Sequence, residues 1–142
     1  INKTWILRFA PVYSPNFNLN IERRTKLGFI GYRVGNGEFK LSLCSIYNIE
    51  KTIKAILQNK IPPGVYNLSD NEEYSYNKLL TAQKINFVIN IPLFLIKVFG
   101  LIGKKLGNIF LQENTIKLVS NNIYTSHKIQ KYITLTSNLN SK

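Results

Sequence analysis

TWILRFAPVYSP, residues 4–15, sets a short apolar run against two prolines. Thr4 to Phe9 is rich in branched and aromatic side chains, the composition of a strand buried on both faces of a parallel sheet. Pro11 and Pro15 close the run, because proline lacks the N–H that a sheet ladder requires, and Tyr13 stands between them. Such a strand belongs in the middle of a sheet, with partners on both sides. Only three residues precede it, and methionine is absent throughout, position 1 included. The expectation is a piece of a longer protein, cut beside the centre of a fold.

The composition suits a packed domain: 142 residues, 44% hydrophobic and 18% charged. Cys44 is the single cysteine, so no internal disulfide forms, and a reducing, cytoplasmic setting is the natural reading. It sits in LSLCSI, where a small buried thiol is expected rather than a nucleophile. The formal charge of +12 attracts phosphate from a distance. The cations are nevertheless spread along the chain, clustering only at Arg23, Arg24 and Lys26 and at Lys104 and Lys105. No RNA-recognition, zinc-finger or helix-turn-helix pattern accompanies them, which disfavours nucleic acid as a partner. A solvated basic surface or a phosphate-bearing small ligand fits better.

Further along, Asn16–Phe29 reads as a helix with apolar positions Phe17, Leu19, Ile21, Leu27 and Phe29. A glycine-punctuated loop with a short extended piece at Tyr32–Val34 comes next, then a strand over Phe39–Ile46. A helix capped by Asn48 succeeds it, with Ile49, Ile53, Ile56 and Leu57 on one face and an i, i+4 pair Glu50–Lys54. Pro62, Pro63 and Gly64 stop it. Val65–Leu68 is a strand, Ser69-Asp70-Asn71 a turn, and Ser75 the cap of a short helix through Ala82. Residues 84–103, KINFVINIPLFLIKVFGLIG, are the most apolar part, but Asn86, Asn90, Pro92 and Lys97 interrupt them. They read as a strand, Asn86–Ile91, and a helix from Pro92, not as a membrane span. Ser126 caps a last helix through Ile133, and Thr134–Lys142 is a polar, frayed tail.

Tyr74 and Lys78 have the Tyr-x-x-x-Lys spacing in which an ammonium lowers a phenol's pKa so that it acts as a base. Two residues are a weak signal, and a ring packed at a helix start with a solvated lysine is the plainer expectation. Gly28, Gly31, Gly35 and Gly37 come after a helix and precede a strand, the reverse of a dinucleotide-binding turn. His127, the single histidine, has no partner for a metal cluster, and Asp70, Glu72 and Glu73 lack calcium-loop spacing. The expectation is a solvated acidic turn, no metal site, and no catalytic residue in this chain.

Four stretches, taken in order, resemble the extended short-chain dehydrogenases, the NAD-dependent epimerases and dehydratases of nucleotide-linked sugars. LRFAPVYSP is similar to their Leu-Arg-x-x-x-Val-Tyr-Gly-Pro segment, with Ser14 at the usual glycine. SIYNIEKTIKAIL resembles the helix after their His-Val-x-Asp-Leu. GVYNLSDNEEYSYNKLL resembles Gly-x-x-Tyr-Asn-Val-Ser-Asp-Gly, with Asn71 at the glycine, and YTSHKIQKYI the final Asp-x-Ser-Lys helix, with Thr125 at the aspartate.

The resemblance implies an α/β fold (α+β for the piece alone) with a few short strands and four to five helices. It implies the C-terminal part of such an enzyme: residues 1–15 the last strand and ligand-facing loop of a missing Rossmann domain, 16–133 a substrate-binding domain, 134–142 the tail. Within the family the closest likeness is to the UDP-glucose 4-epimerases, isomerases that use NAD. This part would grip a nucleotide-sugar; NAD would sit on the missing half and not on this chain alone. The loop lies where open parallel sheets bind ligands, beyond a strand's carboxyl end. The resemblance puts Pro11 and Val12 beside the cofactor and Tyr13, Asn16 and Asn18 beside the substrate. The phosphate contact, usually an arginine, falls on Lys40 or Leu41, with Arg23, Arg24 and Arg33 as substitutes. The partners implied are the nucleotide-sugar, the missing half and a further copy of the chain. Two other readings stand beside it: a basic module for nucleic acid or a membrane surface, and a degenerate non-catalytic homologue.

Overall fold

The computed structural model describes residues 3–137 and 139. In chain order the first elements are β1 (Trp5–Phe9), β2 (Val12–Tyr13), α1 (Leu19–Thr25), β3 (Lys26–Leu27) and β4 (Ile30–Val34). Next come β5 (Lys40–Leu41), β6 (Cys44–Ser45), α2 (Ile46–Leu57), β7 (Gly64–Leu68) and β8 (Tyr74–Ser75). The last are α3 (Tyr76–Ala82), β9 (Val88–Ile91), α4 (Leu93–Lys105), α5 (Ile109–Leu118) and α6 (His127–Gln130). The fold is mixed α/β, with short strands and six helices among the described residues. The chain forms two compact units: one from the residues up to Asn20, Ser42–Glu73 and those from Ile123 on, the other from Ile21–Leu41 and Tyr74–Asn122.

In the first unit, β1 and β7 run parallel in register, Trp5 opposite Gly64 and Phe9 opposite Leu68. A shorter parallel pair, β2 with β6, continues from them. Tyr66, Leu68, Ile61, Ile129 and Leu135 make the core, and the Trp5 indole donates to the Ile61 carbonyl at 3.0 Å. β1 is a strand as expected but is not covered on both faces: Ile6 is 50% exposed, and Phe9 is exposed too. β7 is its single ladder partner among the described residues.

The helix α2 begins earlier than expected. Ser45 is its N-cap, and Asn48, expected at that position, lies inside the helix with its side chain buried. Its inward face is Asn48, Thr52 and Ala55 with Ile49 and Ile56, so Ile53 and Leu57 face outward. The Glu50–Lys54 ion pair forms as the spacing predicts. Near the chain's end α6 stops at Gln130, short of Ile133. The expected fraying of the tail is corrected at its start: Leu135 is buried, and the Thr136 N–H donates to Asn48 Oδ1 at 3.1 Å. Much of the tail beyond Ser137 lies outside the described residues.

In the second unit the expected helix over 16–29 is cut short. It ends at Thr25, and β3 turns back on β4 around Gly28 and Phe29, with Leu27 opposite Ile30. Gly28 has φ 63°, the left-handed backbone that a two-residue hairpin turn requires at its first central position. β4 then pairs in parallel with β9, Gly31 opposite Val88. The run Phe39–Ile46, expected as one strand, divides: β5 pairs with β8 and β6 with β2. Ser75 caps α3 by accepting the Lys78 N–H, as the sequence predicts. α4 and α5 form an antiparallel helical hairpin, close because a Cβ at Gly100 or Gly103 would press on Thr115 or Leu111.

Gly37 combines φ 76° with a backbone so near Asn77 Oδ1 that an added Cβ would collide with it. Asn77 in turn accepts from Arg33 at 2.6 Å. Gly37→Ala therefore costs on the order of 2 kcal/mol, the left-handed penalty plus displacement of Asn77. Gly28→Ala, with open space around it, costs about 1 kcal/mol. Urea unfolding of the two variants checks that order.

Candidate ligand-binding site

Both β1 and β7 end on the same edge, and the segments leaving the two strands are tied to each other. The Ala10 N–H donates to the Leu68 carbonyl at 2.9 Å, and the Pro11 carbonyl accepts the Cys44 N–H at 3.0 Å. The chain then reverses tightly: Ser14 and Phe17 exchange backbone hydrogen bonds of 2.9 and 3.2 Å, with Pro15 and Asn16 at the tip. Asn20 steadies this loop by donating to the Val12 carbonyl at 2.7 Å.

Asp70, two residues past the end of β7, is the centre of the arrangement. It is 4% exposed. Its carboxylate accepts from the Tyr13 hydroxyl at 2.7 Å, the Ser45 N–H at 2.8 Å and Asn48 Nδ2 at 2.7 Å. Its own N–H donates to the Leu43 carbonyl at 2.7 Å. A carboxylate can be buried only where such donors replace its water. The expected solvated turn at Ser69-Asp70-Asn71 is thus corrected at Asp70. Asn48 carries the connection on by donating to the Thr136 carbonyl at 2.7 Å.

A cleft of about 160 Å³ opens beside this centre. Ser42, Ser69 and Asp70 line it, with Glu72, Glu73 and His127 also on its wall. Ser69 Oγ donates to the Tyr124 carbonyl at 3.0 Å, and the Tyr124 N–H donates to Ser42 Oγ at 2.9 Å. Hydroxyls and carboxylates share this lining with Ile123 and Tyr124. Among the described residues no group of three or more metal-ligating side chains occurs. Cys44 is fully buried, and that burial, reinforced by the Asp70 charge, pushes its thiol up to about 12. A thiol held neutral is no nucleophile.

Of the residues singled out from the sequence, five belong to the first unit. Pro11 and Val12 are half-buried, with Val12 packed on the core; Tyr13 is buried with its hydroxyl on Asp70; Asn16 is exposed and Asn18 half-buried. Arg23 and Lys40, both exposed, belong to the second unit, where Asn121 and Asn122 hold the Lys40 backbone. Tyr74 is fully buried with Lys78 Nζ 5.3 Å from its ring centroid, so the lysine covers the ring and is not simply solvated. The phenol is closed to a substrate. Arg24 instead faces Tyr76; burial raises the pKa of the Tyr32 and Tyr76 hydroxyls, and the Arg24 charge partly offsets this. Asp70, Asn48 and Ser69 were not singled out as site residues. For Ser69 and Asp70 the signal is a short polar run directly after the carboxyl end of β7; Asn48, inside α2, carries no such signal.

No protein-family model matches the chain, and no curated protein is similar to it in sequence. Solved structures do match. UDP-N-acetylglucosamine 4-epimerase from Bacillus cereus superposes with a TM-score of 0.59 at 14% identity, over 96% of this chain and 42% of the enzyme. dTDP-4-dehydrorhamnose reductase from Bacillus anthracis, in complex with NADP, gives 0.58 at 12% identity over 98% and 47%. The ADP-L-glycero-D-manno-heptose-6-epimerase of Helicobacter pylori gives 0.56 at 16% identity over 99% and 41%. The chain has the fold of part of these enzymes. It spans less than half of their length.

Asp70→Ala leaves the Tyr13, Ser45 and Asn48 donors without their buried acceptor and lowers stability by about 3 kcal/mol. A urea midpoint that falls at unchanged slope checks this. Cys44 resists thiol reagents at pH 8 until the chain unfolds. Its raised folded pKa favours the folded state below the ordinary thiol value of 9.0, and that stability is lost as pH rises toward about 12. Cys44→Ala flattens the stability profile across that alkaline window.

Proposed function

We propose that the chain is the substrate-binding region of an NAD-dependent enzyme that epimerises, dehydrates or reduces a nucleotide-linked sugar. One observation carries the reading: nearly the whole chain takes the fold of less than half of each of three sugar-nucleotide enzymes. The half-exposed strand β1 supports it. A parallel strand is normally flanked on both edges and covered on both faces, whereas β1 has β7 as its single ladder partner among the described residues and leaves Ile6 exposed.

The residues present do not fit the dinucleotide itself. That site needs a strand, a glycine-rich turn and a helix N-terminus in succession. Gly28 instead makes a hairpin turn, and Gly37 meets Asn77. No hydride step is assigned to this chain. Its proposed part is to hold the substrate: Asn16 and Asn18 on the sugar side, with Pro11 and Val12 shaping the wall on which a nicotinamide would rest. Tyr13 acts by tying the loop to Asp70. Arg23 and Lys40, the phosphate contacts that the resemblance implies, belong to the second unit, and the binding proposed for the first unit does not depend on them.

Isothermal titration of the 142-residue chain with UDP-glucose, UDP-N-acetylglucosamine and UMP tests the reading. The expected result is tighter binding of a UDP-sugar than of UMP, weakened roughly threefold to tenfold by Asn16→Ala. Equal affinity for UMP and both UDP-sugars overturns it. So does formation of NADH by this chain alone.

A further inference from the structure

Among the described residues, exposed large apolar side chains are packed most densely along α4 and α5. Along the outer side of α4, Phe94 (63% exposed), Val98, Leu101 and Ile102 recur at i, i+4, i+7 and i+8, one continuous helical face. The opposite side, Ile96, Gly100 and Gly103, is the one turned to α5. At the tip of the hairpin Leu106 (72%), Ile109 and Phe110 (78%) project together.

Charge is arranged just as unevenly. α4 carries Lys97, Lys104 and Lys105 and no acidic residue. On α5 the ion pair with Lys117 offsets Glu113. By helical position Lys97 and Lys104 share one line beside the apolar face, and Lys105 stands next to the tip. Lys97 and Lys104 also border an apolar groove of about 410 Å³ between the helices, lined with them by Ile96, Gly100, Leu101 and Ile116. No helix among the described residues is long and apolar enough to cross a membrane.

We propose that the α4–α5 hairpin is a membrane-surface anchor that lies on an anionic bilayer. Its tip and the outer face of α4 enter the headgroup boundary, while Lys97, Lys104 and Lys105 meet lipid phosphates. This is the pattern of an interfacial helix: an apolar face bordered by cations whose stems reach back to the polar layer. The net positive charge of the hairpin argues against a second copy as the occupant, since two such hairpins would repel at close range. The inference does not rest on the sugar-nucleotide reading.

Co-sedimentation of the 142-residue chain with vesicles of phosphatidylcholine, alone or mixed with phosphatidylglycerol, tests it. The expected result is binding to the mixed vesicles that weakens as salt rises. Lys97→Gln, Lys104→Gln and Lys105→Gln each weaken it about fivefold, and together on the order of a hundredfold. Phe94→Ser and Phe110→Ser each weaken it roughly tenfold. All five side chains are outward-facing, so far-UV circular dichroism should stay unchanged. Equal binding to the two vesicle types, no binding to either, or indifference to the phenylalanine variants overturns the proposal. A solution dimer that Phe110→Ser dissociates also overturns it, by giving the face to a second copy.

Discussion

A buried carboxylate holds the first unit together. Asp70 stands where the chain leaves β7, and its oxygens gather the loop after β1 through Tyr13, the start of α2 through Ser45 and the body of α2 through Asn48. Each of these groups would otherwise be a buried donor without an acceptor, and Asp70 would be a buried charge without solvation. The cost of leaving either side unmatched is what makes the arrangement specific. Asn48 extends it to Thr136, so a residue late in the chain is held by the same centre. The ends of β1 and β7, where open parallel sheets place their ligands, are therefore rigidly related.

The second unit is built differently. Its β4–β9 pair and α3 bury Tyr32, Val34, Leu79 and Leu80, an ordinary apolar core. The α4–α5 hairpin adds little to that burial and instead presents leucine, isoleucine and phenylalanine outward. Close packing between its helices at Gly100 and Gly103 gives it internal rigidity without covering that outer face. A rigid, apolar, cationic hairpin is suited to contact with something outside the chain.

Much of the architecture is legible in local sequence. The composition of Trp5–Phe9 marks a strand, Ser75 marks the start of α3, Pro92 the start of α4, and Glu50–Lys54 supports α2. The failures share a cause. Asn16–Phe29 has helical apolar spacing, yet Gly28 makes the two-residue turn that pairs Leu27 with Ile30. Phe39–Ile46 is locally uniform, but its two halves find different partners, β8 and β2. Asn48 suits a cap by type and is drawn into the helix by Asp70, 22 residues away. Asp70 itself sits among turn residues and looks solvated from its neighbours alone.

Composition and local pattern alone determined that Trp5–Phe9 is a strand, that α3 and α4 begin just after Ser75 and Pro92, and that Cys44 is a buried thiol. Those depend on side-chain period, on proline's missing N–H and on capping groups, all of which act within a few residues. Only the tertiary structure decided that Asp70 is the hub, that Tyr13 serves it, and that most of the apolar stretch 93–110, Ile96 excepted, lies outside the core. Each depends on which distant groups meet, since burial and hydrogen-bond matching are properties of the packed chain and not of any segment of it.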